Sequence, residues 1–288
     1  MKAPDFEYQR PESLAEALDL LARHGGEAAI VAGGQSLMPI LNFRLAAPAL
    51  LIDIGGLAEL RQVNDGGDHL VLGAGLRYCD LEASELVARH LPLLHSALGH
   101  VGHPAIRHRG TLGGSLAMAD PAAELPACCL ALDGEFTLTS QRGERRFAAD
   151  GFFQGVYDTA LADDEILTAV HLPKRPPDAI WAFDEVARRR GDFALAGLAL
   201  VGRPANGALG APRLVLLGVA DRPLLAGRTM ALLEGVPLDE DLIDAAVETV
   251  AAEVDPPDDP AYPPEYRRHL AGVLLRRVLR RVAAELSS

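Results

Sequence analysis

The sequence predicts an α+β chain, and three observations carry that expectation. Its 288 residues are 49% hydrophobic, ample apolar material for one large or two to three small packed units. Short apolar runs of strand length, punctuated by glycine turns, fill much of the N-terminal half. Beyond residue 177 three strand-like runs come first and helices last, the order of an α+β layer.

The elements follow in chain order. Residues 13–24 read as a helix: Ser13 and Glu16 make a capping-box pattern, Leu14, Ala17, Leu18 and Leu21 repeat on one face, and Gly25-Gly26 ends it. Residues 28–31 form a short buried strand before the turn Gly33-Gly34. Residues 50–54 and 69–72 are further strands. Helices are expected over 80–89 and from about 95 to 101. From Glu135 the pattern changes: Phe136, Leu138 and the Arg146-Phe147 region alternate apolar and polar, as half-buried strands do. Residues 165–172 make another strand. Pro173-Lys174-Arg175-Pro176-Pro177 is the clearest linker, because clustered prolines suit neither helix nor ladder. The runs 180–188, 194–202 and 212–220 read as strands, and 239–254 and 264–286 as helices.

Charge and cysteine content narrow the function. The formal net charge is −13, which disfavours bulk attraction to nucleic acid or an anionic membrane. No apolar run approaches the roughly 20 residues of a membrane span, and the first residues lack a signal-peptide core. The three cysteines, Cys79, Cys128 and Cys129, suggest a reducing cytoplasm. They are too few for an iron–sulfur cluster held by four thiolates, so any such cluster belongs to another chain.

Two glycine turns are the most informative segments: Ala32-Gly33-Gly34-Gln35-Ser36 and Thr111-Leu112-Gly113-Gly114-Ser115. Glycines admit positive φ and close backbone approach, successive N–H groups form anion-binding nests, and hydroxyls add donors. Two such loops could clamp a pyrophosphate. Each is equally readable as an ordinary strand-to-helix turn, and residue chemistry alone leaves both readings open.

At these residues the sequence resembles a known family. Ala32 to Leu37, and Arg107-x-Arg109-Gly110-Thr111 through Ala117 into Ala119-Asp120-Pro121-Ala122-Ala123-Glu124-Leu125-Pro126, look like the two FAD signatures of the medium subunit of aerobic carbon monoxide dehydrogenase and xanthine dehydrogenase-type molybdenum hydroxylases. Arg189 to Ala194 looks like that family's segment beside the flavin ring, and Glu265 to Ala271 like its terminal-helix signature. The resemblance implies a fold: an FAD-binding region over 1–175, built of two small α+β subdomains (about 1–55 and 56–175) similar to vanillyl-alcohol oxidase (PCMH-type) flavoproteins, then a C-terminal α+β domain over 176–288. It implies roles as well. Ala32, Gly33, Gly34, Gln35 and Ser36, with Thr111, Gly113, Gly114 and Ser115, would hold the FAD pyrophosphate and ribityl chain. Leu37 would line the same channel. Asp120 lies in the second signature, and Glu124 would hydrogen-bond the cofactor chain. Leu167 would sit near the ring or adenine, and Phe193 against the isoalloxazine. No residue is assigned as catalytic or as a metal ligand.

Some positions depart from the family pattern. Phe193 is often tyrosine, Met118 stands where histidine is common, His108 where asparagine is common, and Asp184 near a position that is lysine in some relatives.

Other features read as structural. Gly73-Ala74-Gly75-Leu76-Arg77-Tyr78 starts like a dinucleotide fingerprint, but Tyr78 replaces the third glycine and no ribose-binding acid follows. His95, His100, His103 and His108 lack the paired spacing of zinc sites and read as solvent-facing or flavin-neighbouring. Cys128-Cys129 reads as a pair of buried, inert thiols. Arg267, Arg268, Arg276, Arg277, Arg280 and Arg281 form a basic stripe, read as a solvated face ahead of a contact for an acidic partner.

The resemblance then implies a function: an electron-transfer flavoprotein subunit of a heterohexameric complex. A large molybdopterin subunit would oxidise substrate, and a small subunit with [2Fe–2S] clusters would deliver electrons to FAD here, for passage to an external acceptor. The alternative is a stand-alone flavin-dependent oxidase with its own base, for which His108 and Tyr157 are the candidates. The substrate and the acceptor are not readable from these residues.

Overall fold

Three sheets and a two-stranded ribbon organise the chain in its computed structural model, which describes residues 2–287. The first sheet is built by β1 (Glu7–Gln9), helix α1 (Leu14–His24), β2 (Ala28–Val31), α2 (Leu37–Asn42) and β3 (Leu50–Asp53), with β3 central and parallel to both neighbours. Helix α1 begins and ends as its residues dictate. The Ser13 side chain accepts the Glu16 amide at 3.2 Å, and the Glu16 carboxylate accepts the Glu12 amide at 2.8 Å. Gly25, at φ 49°, ends it. Its buried stripe, Ala17, Leu18 and Leu21, joins Leu50 and Ile52 in one core.

The middle of the chain carries β4 (Val63–Asp65), β5 (His69–Gly73), α3 (Tyr78–Glu82), α4 (Glu85–His90), α5 (Pro92–Leu98), α6 (Pro104–Arg107), α7 (Leu112–Met118), α8 (Glu124–Ala131), β6 (Glu135–Ser140), β7 (Gly143–Ala148), the ribbon β8 (Phe153–Gly155) and β9 (Asp158–Thr159), and β10 (Ile166–Pro173). The strands form an antiparallel sheet in the order β4-β5-β10-β6-β7. The single helix expected over 80–89 is two helices. The Ala83 amide closes the first turn on Cys79, and Ser84 restarts the chain by capping the Val87 amide at 3.4 Å. Helix α5 begins at Pro92 rather than near residue 95, because proline at a first helical position lacks only an N–H that would have no helical partner.

The expectation of half-buried strands after Glu135 is corrected for β6. Phe136 to Ser140 are all buried. Its polar members are accommodated by pairing: Thr137 hydroxyl with His171 Nε2 at 2.8 Å, and Thr139 hydroxyl with that of Thr168 at 2.7 Å.

The last part folds as β11 (Ile180–Ala187), β12 (Ala194–Ala205), β13 (Ala208–Leu217), β14 (Leu224–Leu225), α9 (Gly227–Leu233), α10 (Glu240–Glu253) and α11 (Pro264–Leu286). Its four strands are antiparallel in chain order, and both faces are covered. Ala182, Leu198, Leu200, Leu214 and Leu216 pack with α9, α10 and α11. Phe183, Ala199, Val201, Val215 and Leu217, one residue out of phase, join the core of α5 and α8. Period-two alternation thus puts apolar side chains on both faces, and the strands read as continuous hydrophobic runs. Each fully buried leucine contributes roughly 1.5–3 kcal/mol. The core therefore runs on past the proline-rich linker.

The basic stripe of α11 is only partly a solvated face. Arg267 is buried; it donates to the carbonyls of Leu195 at 2.9 Å and Gly218 at 2.8 Å, and to Asp259 at 3.1 Å. Arg276, Arg277 and Arg280 pair with Asp244, Asp184 and Glu240 of this same chain. Among the described residues no helix is long and apolar enough to cross a membrane.

Candidate functional site

The two glycine loops meet. A Cβ added to Gly33 would lie 2.2 Å from the Arg109 carbonyl oxygen and 2.9 Å from the Gly110 Cα. No other residue fits there without moving one backbone off the other. Gly34 follows at φ 70°, in the left-handed region that side chains resist. Beside this junction opens a cavity of about 520 Å³, within the roughly 300–1,000 Å³ of ligand pockets. Ala32, Gly33, Gly34, Gln35, Ser36 and Leu37 line it, together with Thr111, Gly113, Gly114, Ser115, Asp120, Glu124, Leu167 and Phe193. All fourteen residues that the resemblance assigns to FAD border this one space.

The two loops differ in what they offer. In the first, the amides of Gly33, Gly34, Gln35 and Ser36 have no acceptor among the described residues; only the Gln35 side chain is engaged, donating to the Gly33 carbonyl at 3.1 Å. Free N–H groups on a turn are an anion nest. In the second, the amides are engaged within the protein. Leu112 donates to Leu76 O (2.9 Å), Gly113 to Ala74 O (2.8 Å), Gly114 to Thr111 Oγ1 (3.2 Å) and Ser115 to Thr111 O (3.1 Å). The two loops thus differ as amide donors. The second loop is a rigid wall, and Gly113 is there for close packing: a Cβ would stand 2.5 Å from that of Ala74.

Leu167 and Ile166 reach the cavity from the first residues of β10. A register shift against β6 follows Leu167, and the Thr168 carbonyl there accepts the Ala74 amide at 2.9 Å. The loop before β12 enters through Gly191. At φ 85°, its missing Cβ would meet the Gly102 carbonyl at 2.8 Å. Two residues on, Phe193 borders the cavity and is 67% exposed. Arg107 fastens the facing segment, donating to Val101 and Gly102 carbonyls and to Glu82 at 3.0–3.2 Å.

Several lining residues escaped the sequence reading. Tyr78, whose presence disqualified its segment as a dinucleotide fingerprint, borders the cavity and packs under Gly110. Burial raises its hydroxyl to about 12, although Ser115 hydrogen-bonds it. Met118 also lines the space, as does His103, one of the histidines read as solvent-facing or flavin-neighbouring. The other histidines have local partners: His95 with Glu82 O at 3.1 Å, His108 with Pro104 O at 2.7 Å, and His100 with Glu185 at 3.3 Å. Neither His108 nor Tyr157 lines the cavity; the Tyr157 hydroxyl donates to Asp120 at 3.3 Å. Cys128 and Cys129 are fully buried, and burial raises both thiols.

Glu124 is the one strongly perturbed acid of the cavity. It opens α8 with its side chain nearly enclosed, and burial, reinforced by Glu185 and Asp120, raises its carboxyl to about 8.

The chain is similar to known proteins over nearly its whole length. Residues 4–175 match the family described as FAD binding domain in molybdopterin dehydrogenase, and residues 181–282 the CO dehydrogenase flavoprotein C-terminal domain. The chain is 39% identical to the caffeine dehydrogenase subunit beta of a Pseudomonas species over 98% of this chain and 96% of that one. It is 38% identical to the nicotine 6-hydroxylase medium subunit of Paenarthrobacter nicotinovorans, over 97% and 98%. A carbon monoxide dehydrogenase structure from Hydrogenophaga pseudoflava superposes with a TM-score of 0.95 at 36% identity, covering 97% of this chain and 98% of that one.

Proposed function

The chain belongs to the FAD-binding medium subunits of the carbon monoxide dehydrogenase and xanthine dehydrogenase type, and from that membership we propose that it is the electron relay of a larger molybdenum hydroxylase. It takes electrons from [2Fe–2S] clusters of a small partner subunit and passes them to an external acceptor, while a large molybdopterin subunit oxidises the substrate. The assembly is heterohexameric and cytoplasmic. Residues 1–175 form the FAD-binding domain, with subdomains of about 1–55 and 56–175, and residues 176–288 the C-terminal domain.

One observation carries the reading: Gly33 to Ser36, whose amides have no acceptor among the described residues, line a cavity that Thr111, Gly113, Gly114 and Ser115 also line. Such a nest suits a diphosphate, and the cavity size suits an extended ligand. Ala32 to Ser36 hold the pyrophosphate; Thr111, Gly113, Gly114 and Ser115 wall the chain that follows it; Leu37 lines the channel. Asp120 and Glu124 meet the ribityl hydroxyls, Leu167 packs near the ring or adenine, and Phe193 lies against the isoalloxazine. Bound FAD supplies the two-electron carrier, and the protein orients it and tunes its exchange with donor and acceptor. The stand-alone oxidase is the weaker reading, since its two candidate bases lie off the cavity.

Co-expression of this chain with its neighbouring reading frames, affinity capture, and metal and flavin analysis test the proposal. One FAD per chain, with molybdenum and iron arriving on two further subunits, supports it. A flavin-loaded chain that turns over a small substrate alone contradicts it.

A further inference from the structure

Behind the cavity wall lies a set of titratable groups that the FAD-site assignment does not use. Glu185 of β11 has its side chain only 5% exposed, and its second carboxylate oxygen is enclosed without a partner. Its first oxygen stands 3.3 Å from His100 Nδ1. The His100 ring is seated edge-on against Phe183 at 5.1 Å and is 37% exposed, so one end of the pair touches solvent. Both groups are electrostatically coupled to Glu124. The charges that act on Glu124 are those of Asp120 ahead of α8, His100 after α5 and Glu185 on β11; Glu124 in turn acts on Cys128 one turn along α8 and on Tyr78 of α3, and Glu165 and His103 share the cavity lining with it. Asp184 also faces His100.

We infer that Glu124 takes up a proton when the cofactor binds, and that the His100–Glu185 pair, outside the cavity, sets the pH at which it does so. The inference rests on the FAD-site reading above. Two effects give the sign. A ligand filling the cavity removes water from Glu124, and the negative diphosphate raises the cost of a second anion nearby; both favour the neutral acid. Above about pH 8, where Glu124 is ionised in the flavin-free chain, the proton comes from solvent, converting carboxylate to carboxylic acid as FAD enters. A neutral Glu124 can then donate its O–H to the cofactor, which a carboxylate cannot. Glu185 opposes ionisation of Glu124 and His100 favours it, the influence of Glu185 being the larger. His100 and Glu185 are positioning residues, acting through Glu124.

The test is FAD affinity of the purified full chain, measured by flavin absorbance from about pH 6 to about pH 9. The proton taken up is measured separately, by calorimetry in two buffers of different ionisation enthalpy. Affinity should be level at low pH and fall by up to about tenfold per pH unit above the break near Glu124. Glu124→Gln should bind FAD with a level profile and no proton uptake. Glu185→Gln should move the break to lower pH, and His100→Gln to higher pH. Opposite displacements cannot come from a general loss of structure. A level wild-type profile with no proton uptake, or displacements in one direction, overturns the inference while leaving the FAD site standing. Failure of the wild type to bind FAD at any pH refutes the site, and the inference with it.

Discussion

The carbonyl oxygen of Arg109 occupies the place, 2.2 Å away, where a Cβ of residue 33 would need room. Two segments about seventy-five residues apart thus share one close contact, and the cavity depends on it. Gly33→Ala should therefore separate the loops and weaken FAD binding by at least about tenfold, the equivalent of about 1.4 kcal/mol. Flavin titration checks this. Unchanged affinity would mean that the junction does not shape the site.

Phe193 offers a contrast, because it is exposed and supports no core. Phe193→Ala should leave the melting temperature of the flavin-free chain within error, a change of about 0.5 kcal/mol or less. It should still weaken FAD binding about three- to tenfold through lost aromatic contact, worth about 0.5–1.5 kcal/mol. Melting and titration on the same preparation separate the two effects.

Glu124 makes stability depend on pH in a direction unusual for an acid. Its carboxyl is raised from 4.5 to about 8 in the fold, chiefly by burial. Between those values the folded state binds more protons than the unfolded one, so stability falls as pH rises, by up to about 1.4 kcal/mol per unit for this group. Glu124→Gln should remove that slope. The variant should match wild type near pH 4.5 and gain on it steadily toward pH 8 in denaturant unfolding of the flavin-free chain. Parallel curves would contradict the burial argument.

Arg267 anchors α11 to the last sheet through two carbonyls and Asp259. Arg267→Ala leaves the buried Leu195 and Gly218 carbonyls without that donor, and should cost about 3 kcal/mol in unfolding free energy. Arg281→Ala, on the exposed side of the same helix, should change stability by about 0.5 kcal/mol or less.

What could be read from the sequence followed from where each element packs. Helix α1 announces itself because one face is buried and the other wet. Helix α8 does not, because every one of its eight residues is buried and no periodicity survives. The break at Ser84 is a local capping event inside a run that looks continuous. The glycine loops were legible as a pair, but not which loop keeps its amides free, since Leu76 and Ala74 supply the missing acceptors from another segment. Glu185 and His100 carry no motif at all; only the fold of β11 over α5 brings them behind Glu124.

The most direct measurement of the central claim is amide hydrogen exchange of the full chain with and without FAD. The account predicts that Gly33 to Ser36 exchange rapidly in the flavin-free chain and become strongly protected when FAD binds. Leu112 to Ser115, already hydrogen-bonded within the protein, should be protected in both states. Stoichiometric FAD binding that leaves residues 33–36 exchanging as before would show that the diphosphate is held elsewhere.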